Sequence, residues 1–190
     1  MNRLVKGAVA GIWAGLLMAC TAMAWADTSG HVEVQTLPAW GSSAHVVAAG
    51  GFYFAGQPDA AGFAQAAAAG VTTVINIRGP EEADWDVGAA VQQAGMAYFN
   101  EPLVLSEEHI DSASAARISR LVEDKGDGTV LIHCASGNRV AIWWALHLAA
   151  HKGVDGETAV ALARQAGMKA DLAPLVKQHL QPQSVDATRQ

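Results

Sequence analysis

Residues 129–139 read Thr-Val-Leu-Ile-His-Cys-Ala-Ser-Gly-Asn-Arg, and this stretch decides the predicted fold. The segment Thr129-Val130-Leu131-Ile132 is apolar and rich in β-branched side chains, which predicts a short buried strand. The apolar run from Val140 to Ala150 predicts a long helix. Cys134 therefore lies in a tight loop that contains a glycine, between the tip of a strand and the first turn of a helix.

This loop surrounds Cys134 with groups that favour a thiolate and bind an anion. Backbone N–H groups converge at a helix N-terminus, the helix dipole is positive there, and Arg139 adds a full charge. Gly137 permits a backbone conformation with positive φ. A cysteine at the end of a buried strand is often only a small core residue. The Ser-Gly-Asn-Arg succession that follows Cys134 instead favours a nucleophile beside an oxyanion site.

Strand and helix patterns alternate along the rest of the chain. We expect strands at 52–55, 71–77, 96–99 and 129–132, and helices at about 60–69, 86–94, 106–123, 139–151, 157–166 and 172–180. This alternation predicts an α/β fold with a central, mostly parallel sheet of about four to five strands and helices on both faces. Ligands of such sheets bind beyond the carboxyl ends of the strands, where the Cys134 loop lies.

The beginning of the chain predicts a secretory signal peptide over residues 1–26. Arg3 and Lys6 precede an apolar run that is too short for a membrane span, and Ala24-Trp25-Ala26 is typical of a cleavage site. Cys20 leaves a lipoprotein processing site open as the alternative. We expect a periplasmic or secreted protein with no stable membrane span after processing. Residues 27–51 are then a flexible leader, 52–180 the folded domain and 181–190 a tail.

Charge and cysteine content narrow the possible functions. The chain has 12 basic and 18 acidic side chains, a formal net charge of −6, and this balance argues against a nucleic-acid partner. Of the two cysteines, only Cys134 would remain after cleavage at Ala26, so the mature chain could form no internal disulfide. A single thiol retained in an exported protein indicates a reactive role.

Three segments resemble the cysteine-dependent phosphatases, the superfamily of protein tyrosine and dual-specificity phosphatases. They are Phe-Ala-Gly-Gln-Pro at 54–58, Gly-Val-Thr-Thr-Val-Ile-Asn-Ile-Arg at 70–78, and the loop from His133 to Arg139 with Leu146 in the helix that follows. Four residues separate Cys134 from Arg139, one fewer than in most of the superfamily. This spacing resembles the small bacterial phosphatase-like domain found alone or beside beta-lactamase-like hydrolases. The resemblance covers about residues 52–150.

The resemblance implies a dual-specificity-phosphatase-like fold and the hydrolysis of phosphomonoesters, including phosphoproteins, with no cofactor or metal. Cys134 would attack phosphorus to form a phosphocysteine, and Arg139 would bind the equatorial oxygens with two N–H groups. The backbone N–H groups of the loop would complete the phosphate-binding site, namely those of Ala135, Ser136, Gly137 and Asn138. The partner is a phosphorylated substrate whose type the resemblance leaves open.

Two positions depart from the family pattern. Val140 stands where the family usually has a hydroxyl residue directly after the arginine, and that hydroxyl would assist the departure of the thiolate. Relatives often have an aspartate as general acid in the loop after the third strand, and the matching stretch 102–106 has none. In the carboxylate-rich loop 81–86 we favour Glu82 as the general acid, with Glu107 as an alternative. Arg78 either adds charge to the pocket or lies on the surface.

Two other functions stay open. The loop length is also typical of rhodanese-like sulfurtransferases, and Val140 together with the missing aspartate fits a catalytically weak oxyanion-binding domain.

A pair of histidines lies outside the loop. His147 and His151 lie four residues apart on one predicted helix, a spacing that can bind a metal. Because Leu148-Ala149-Ala150 supplies no carboxylate, we expect this histidine pair to face solvent.

Overall fold

A computed structural model describes residues 32–125 and 129–181, in which six strands form one sheet. The strands are β1 (Val34–Thr36), β2 (Val46–Ala49), β3 (Phe52–Ala55), β4 (Thr73–Asn76), β5 (Ala97–Asn100) and β6 (Val130–His133). Their order is β1-β2-β3-β6-β4-β5. Pairing is antiparallel from β1 to β3 and parallel across β3, β6, β4 and β5. The predicted α/β class is confirmed, but the sheet is mixed and has six strands, whereas a mostly parallel sheet of about four to five strands was expected.

In the part of the chain that the structure describes, six α-helices connect and cover the strands. They are α1 (Ala60–Ala68), α2 (Val87–Gln93), α3 (Ser112–Lys125), α4 (Asn138–Lys152), α5 (Gly156–Gln165) and α6 (Ala173–Leu180), with 3₁₀ turns at Pro80–Glu82 and Ala170–Leu172. Asp59, Asp86 and Asp155 begin α1, α2 and α5, and each carboxylate accepts backbone N–H groups of the first turn. Such caps satisfy N–H donors that have no partner inside the helix, so these helices begin at defined residues.

Alternate side chains of the sheet enter two hydrophobic cores, one on each face. Phe54 and Ile75 belong to the core formed with α3, α4, α5 and α6, whereas Ala55 and Val74 belong to the core formed with α1 and α2. This is the two-residue period of a strand buried on both faces. Residues 140–148 of α4 are all buried, as expected for a helix surrounded by protein. The loop before α4 is therefore fixed by core packing on both sides.

The structure corrects the prediction of a flexible leader over residues 27–51. Val46–Ala49 is a completely buried strand, and β1 pairs with it at the edge of the sheet. Gly50 and Gly51 both have positive φ and close a two-residue hairpin between β2 and β3. Glycine pairs are favoured in such turns. The prediction was wrong because the apolar run of β2 is short and follows polar residues, and its burial depends on pairing with β3.

The helix predicted from Ser106 begins later, at Ser112. Leu105 and Ile110 form an isolated bridge, which closes a short loop in which the acidic residues 107–108 are exposed. Asp111 caps α3 by accepting the Ser114 N–H at 3.0 Å, and this hydrogen bond is the main cause that lowers the pKa of Asp111. The acidic pair that indicated a helix start therefore lies in a loop.

Within residues 32–125 and 129–181, no helix is both long enough and apolar enough to cross a membrane. The predicted signal peptide over residues 1–26, the alternative at Cys20 and almost all of the predicted tail lie outside the described residues. These assignments stay predictions.

Candidate active site

The candidate active site lies where three neighbouring parallel strands end. The last residues of β3 and β4 both lie opposite His133, the last residue of β6. The segments that follow these strands therefore meet at one edge of the sheet, with Gln57 after β3, Arg78 after β4 and Cys134 after β6. Sites of open α/β sheets form at such carboxyl ends.

The loop over residues 134–139 turns tightly around the sulfur. Gly137 has φ 87°, a conformation that favours glycine, and a Cβ atom there would collide with the ring of His45. The Gly137 N–H points at Cys134 Sγ over 3.2 Å. Within the described ranges, the N–H groups of Ala135 and Ser136 donate to no protein acceptor, so they are available to an anion.

Cys134 lies at the bottom of this loop, where it is only 1% exposed. Its N–H donates to the carbonyl of Ala55 over 3.3 Å, which fixes the end of β6 against β3. Arg139 approaches the same sulfur. The pKa of Arg139 is raised mainly by its hydrogen bonds to Glu82 and also by the neighbouring Cys134 side chain. The thiol therefore has a guanidinium group and a backbone N–H among its neighbours, in addition to the hydrophobic core.

Arg139 and Glu82 form a two-pronged ion pair above the loop. Arg139 Nη1 donates to Glu82 Oε1 over 2.7 Å, and Nη2 donates to Oε2 over 2.5 Å. The Gly79 N–H also donates to Oε1 over 2.7 Å, and Arg78 Nε lies 3.6 Å from Oε2. These contacts, above all the hydrogen bonds from Arg139, lower the pKa of Glu82 to about 2.

The structure places Glu82 at the predicted site, paired with Arg139, and its role as general acid stays a prediction. A carboxyl group with a pKa of about 2 is ionised at neutral pH and has no proton to donate. Glu82 accepts hydrogen bonds from Arg139 and cannot act as general acid while that pair is intact. The alternative, Glu107, is exposed in the loop before α3.

Arg78 lies in the pocket and not on the surface, which were the two alternatives that the sequence left open. Its side chain is 11% exposed, and Nη1 donates to Gln57 Oε1 over 2.5 Å. Asn76 Oδ1 accepts the Arg78 N–H over 2.9 Å, and Asn100 Nδ2 donates to the Arg78 carbonyl over 2.9 Å. Gln57, Asn76 and Asn100 thus position a second guanidinium group near Glu82. The sequence offered one signal for this arrangement, which is that Gln57, Asn76 and Asn100 lie at or just after the ends of strands β3, β4 and β5.

The remaining loop residues have separate structural roles. Ser136 is exposed in the loop. Asn138 Oδ1 accepts the Lys169 N–H over 2.9 Å, so this amide fastens the loop to the segment between α5 and α6. Val140 is fully buried in the core and offers no hydroxyl to the loop.

His133 is a neutral core residue behind the loop. It is fully buried, its ring packs against Phe63 with centroids 5.7 Å apart, and neither ring nitrogen has a hydrogen-bond partner among the described residues. Burial is the main cause that lowers the pKa of His133 to about 3. The neutral ring cannot stabilise a thiolate by its own charge, so any influence on Cys134 is exerted through the position of the strand end.

We expect acid to destabilise the fold from about pH 6.5 downward. An unfolded histidine takes up a proton near its ordinary pKa of 6.5, whereas folded His133 does so only near 3, so this stability is present above pH 6.5 and is lost as the pH falls toward 3. Urea unfolding of the parent and of His133→Gln at several pH values measures the effect. The variant should give a flatter pH profile in this window, and the exposed-histidine control His109→Ala should follow the parent. Equal slopes in parent and His133→Gln would contradict the assignment.

The sequence of residues 46–151 matches the family described as beta-lactamase hydrolase-like protein, phosphatase-like domain. The chain belongs to this family. The match spans more than half of the chain and contains β2 to β6 and nearly all of α4. The resemblance drawn from the loop and the two strand segments is thereby confirmed, and with it the class of cysteine-dependent phosphatases.

Solved structures share the fold of this family member. A candidate phosphatase from Shewanella putrefaciens CN-32 is 21% identical with a TM-score of 0.55, over 70% of this chain and 83% of that one. TpbA of P. aeruginosa, solved in complex with pTyr, is 20% identical with a TM-score of 0.56, over 75% and 94%. Kinase associated phosphatase is 14% identical with a TM-score of 0.56, over 79% and 91%. Among curated proteins, none matches this chain.

Proposed function

We propose that the protein hydrolyses phosphomonoesters, including phosphoproteins, through a phosphocysteine intermediate on Cys134. The observation that carries the proposal is the arrangement of one loop around an anion site. Cys134 Sγ lies at its base, the Gly137 N–H points at that sulfur, and the Arg139 guanidinium already holds a carboxylate in two-pronged geometry. A guanidinium group binds phosphate oxygens with the same fork of N–H groups.

The proposed reaction has two displacements at phosphorus. The Cys134 thiolate attacks, the S–P bond forms, and the P–O bond to the leaving group breaks with its electron pair on oxygen. Water then attacks the phosphocysteine, gives up a proton, and the S–P bond breaks to release phosphate and restore the thiolate. Arg139 and the loop N–H groups hold the three non-reacting oxygens throughout. Aryl esters suit this site, because a phenolate needs less protonation than an alkoxide in order to leave.

Glu82 has a defined place in this proposal as the anion that the substrate displaces from Arg139. A phosphomonoester carries about −1.5 to −2 charges at neutral pH and offers three oxygens, so it competes with the single carboxylate for the guanidinium. A general-acid role for Glu82 requires this displacement first. When the Arg139 hydrogen bonds are lost, the pKa of the Glu82 carboxyl group rises back toward its ordinary value.

Replacing Glu82 with glutamine is expected to strengthen substrate binding. Removal of a competing, partly exposed ion pair of about 1 kcal/mol lowers KM for an aryl phosphate by about fivefold and keeps kcat within about tenfold. Steady-state kinetics measures both constants, and Glu81→Gln is the matched control because Glu81 is a neighbouring exposed carboxylate. A fall in kcat of about 10²-fold or more, with KM unchanged, would identify Glu82 as the general acid instead.

One set of assays tests the proposed function against the two alternatives. The purified protein is given an aryl phosphate with and without vanadate, and separately thiosulfate with cyanide. We expect phosphate release that vanadate inhibits. Thiocyanate release without phosphate release would favour a rhodanese-like sulfurtransferase. Tight oxyanion binding with neither activity would favour the oxyanion-binding domain, for which the buried Val140 is the specific observation.

We also propose that the protein acts outside the cytoplasm. The basic segment, apolar run and Ala-Trp-Ala pattern of residues 1–26 support export, with Cys20 as the alternative processing site. A single cysteine in the exported chain would keep Cys134 free of an internal disulfide.

A further inference from the structure

A cluster of potential metal ligands lies far from the Cys134 loop. His147 and His151 lie one turn apart on α4, and Glu123 of α3 faces them. One ring nitrogen of each histidine and one carboxylate oxygen of Glu123 lie within 4.8 Å of one another. With a rise of about 1.5 Å per residue, His147 is roughly 14 Å along α4 from the helix start, so the cluster is separate from the candidate active site.

His147 does not face solvent, which corrects the prediction made from its spacing to His151. It is 1% exposed, and its ring lies 5.0 Å from that of Trp143 and 5.0 Å from that of His151. Nδ1 lies 3.1 Å from Ser119 Oγ, whereas the buried Nε2 has no partner among the described residues. Buried polar atoms are nearly always satisfied, so this unpaired nitrogen, which belongs to a cluster of possible ligands, is available to bind one.

Ser119 can select the form of His147 that binds a metal. Its Oγ has two lone pairs, one of which accepts the Trp143 Nε1–H over 3.2 Å. The other can accept a hydrogen from His147 Nδ1, which leaves the lone pair of the imidazole on Nε2. Metal-binding histidines are typically oriented by such a hydrogen bond from the second ring nitrogen. Because burial disfavours the charged ring, His147 is a neutral donor.

Glu123 and His151 can close around an ion. His151 Nδ1 lies 3.0 Å from Glu123 Oε1, and a metal ion would take the place of the proton between them. Metal–ligand bonds of about 2.0–2.2 Å put the ligand atoms of a tetrahedral zinc site roughly 3.3 Å apart. The cluster must therefore contract from its present limit of 4.8 Å. Both side chains are exposed enough to do this by rotation, while His147 stays fixed.

We propose that Glu123, His147 and His151 form a binding site for a zinc-like divalent transition-metal ion, which fastens α3 to α4. Two imidazoles and one carboxylate suit Zn²⁺ better than Mg²⁺ or Ca²⁺, which prefer oxygen ligands. A groove of about 360 Å³, lined in part by Ser119, Leu146 and His151, opens beside the cluster. Of the three cluster residues, His151 lines this groove, and water would complete the coordination as the fourth ligand.

Zinc binding is measured by calorimetric titration on the full-length, tag-free chain carrying Cys20→Ser and Cys134→Ser, so that neither thiol can bind zinc. We expect this parent to bind one ion per chain and to gain thermal stability with Zn²⁺ but not with Mg²⁺. His151→Ala and Glu123→Gln should each weaken binding by at least about tenfold and remove the zinc-dependent rise in Tm. His109→Ala, which changes an exposed histidine of the loop before α3, should bind like the parent.

The two ligand variants change exposed side chains, so we expect them to fold. Thermal melting without metal verifies this. A Co²⁺ titration gives an independent measurement, because a site with nitrogen ligands should produce visible absorption bands in the parent that are lost in His151→Ala. Equal zinc affinity and an equal Tm shift in the parent, His151→Ala and Glu123→Gln would overturn the proposal. These measurements do not depend on phosphatase activity, so their outcome neither supports nor contradicts the proposed function.

Discussion

Replacing Cys134 with serine is expected to slow the hydrolysis of an aryl phosphate by about 10⁴-fold or more. A hydroxyl group at the base of the loop is far less ionised than a thiol, and it cannot form the phosphocysteine. Loss of the nucleophile removes a whole step of the mechanism, so its effect is among the largest that a single substitution produces. Phosphate release under steady-state conditions measures the loss.

The control for Cys134→Ser is the binding of inorganic phosphate. Serine is nearly the same size as cysteine, and the loop N–H groups and Arg139 are unchanged, so we expect phosphate affinity and Tm close to those of the parent. Hydrolysis within about tenfold of the parent rate would contradict the assignment of Cys134 as nucleophile.

Replacing Arg139 with alanine is expected to lower kcat/KM by about 10³-fold. The guanidinium is the only full positive charge within the loop of residues 134–139, and it faces the oxygens on which charge is held during transfer. Arg139→Lys keeps the charge but loses the two-pronged geometry, so it should recover only part of the activity. The matched control is Arg120→Ala, which removes an exposed arginine from α3.

The loss in Arg139→Ala should occur without loss of the fold. The Arg139 side chain is partly exposed and its partner Glu82 keeps contacts with Arg78 and Gly79, so the ion pair contributes modestly to stability. Near-native Tm with lost activity is therefore the expected combination. Turnover retained by a folded Arg139→Ala variant would contradict the assignment of Arg139 to the phosphate site.

Local patterns predicted the parallel half of the sheet and the position of the Cys134 loop. The continuous apolar runs of β4 and β6 are typical of strands covered on both faces, and Cys134 and Arg139 lie in one short loop whose form follows from its neighbours. β2 was not predicted, because its burial depends on pairing with β3 across a glycine turn and not on its own short pattern.

The chemical state of the site could not be predicted from spacing along the chain. The structure places Glu82 beside Arg139, and the low pKa of its carboxyl group depends mainly on two hydrogen bonds from Arg139, which follows a different strand. Likewise, the carboxylate beside His147 comes from α3 and not from the residues between the two histidines. Both arrangements arise from the packing of segments that are distant in sequence.

The decisive measurement is the capture of a phosphoryl group on Cys134. Val140 supplies no hydroxyl to assist the departure of the thiolate, so the intermediate should accumulate during turnover. Acid quench of the parent enzyme during hydrolysis of an aryl phosphate, followed by peptide mapping by mass spectrometry, would detect it. We predict one phosphoryl group on the peptide that contains Cys134, which disappears when substrate is exhausted and is absent from Cys134→Ser. Rapid turnover with no phosphoryl group on Cys134, or with one on another residue, would contradict the mechanism.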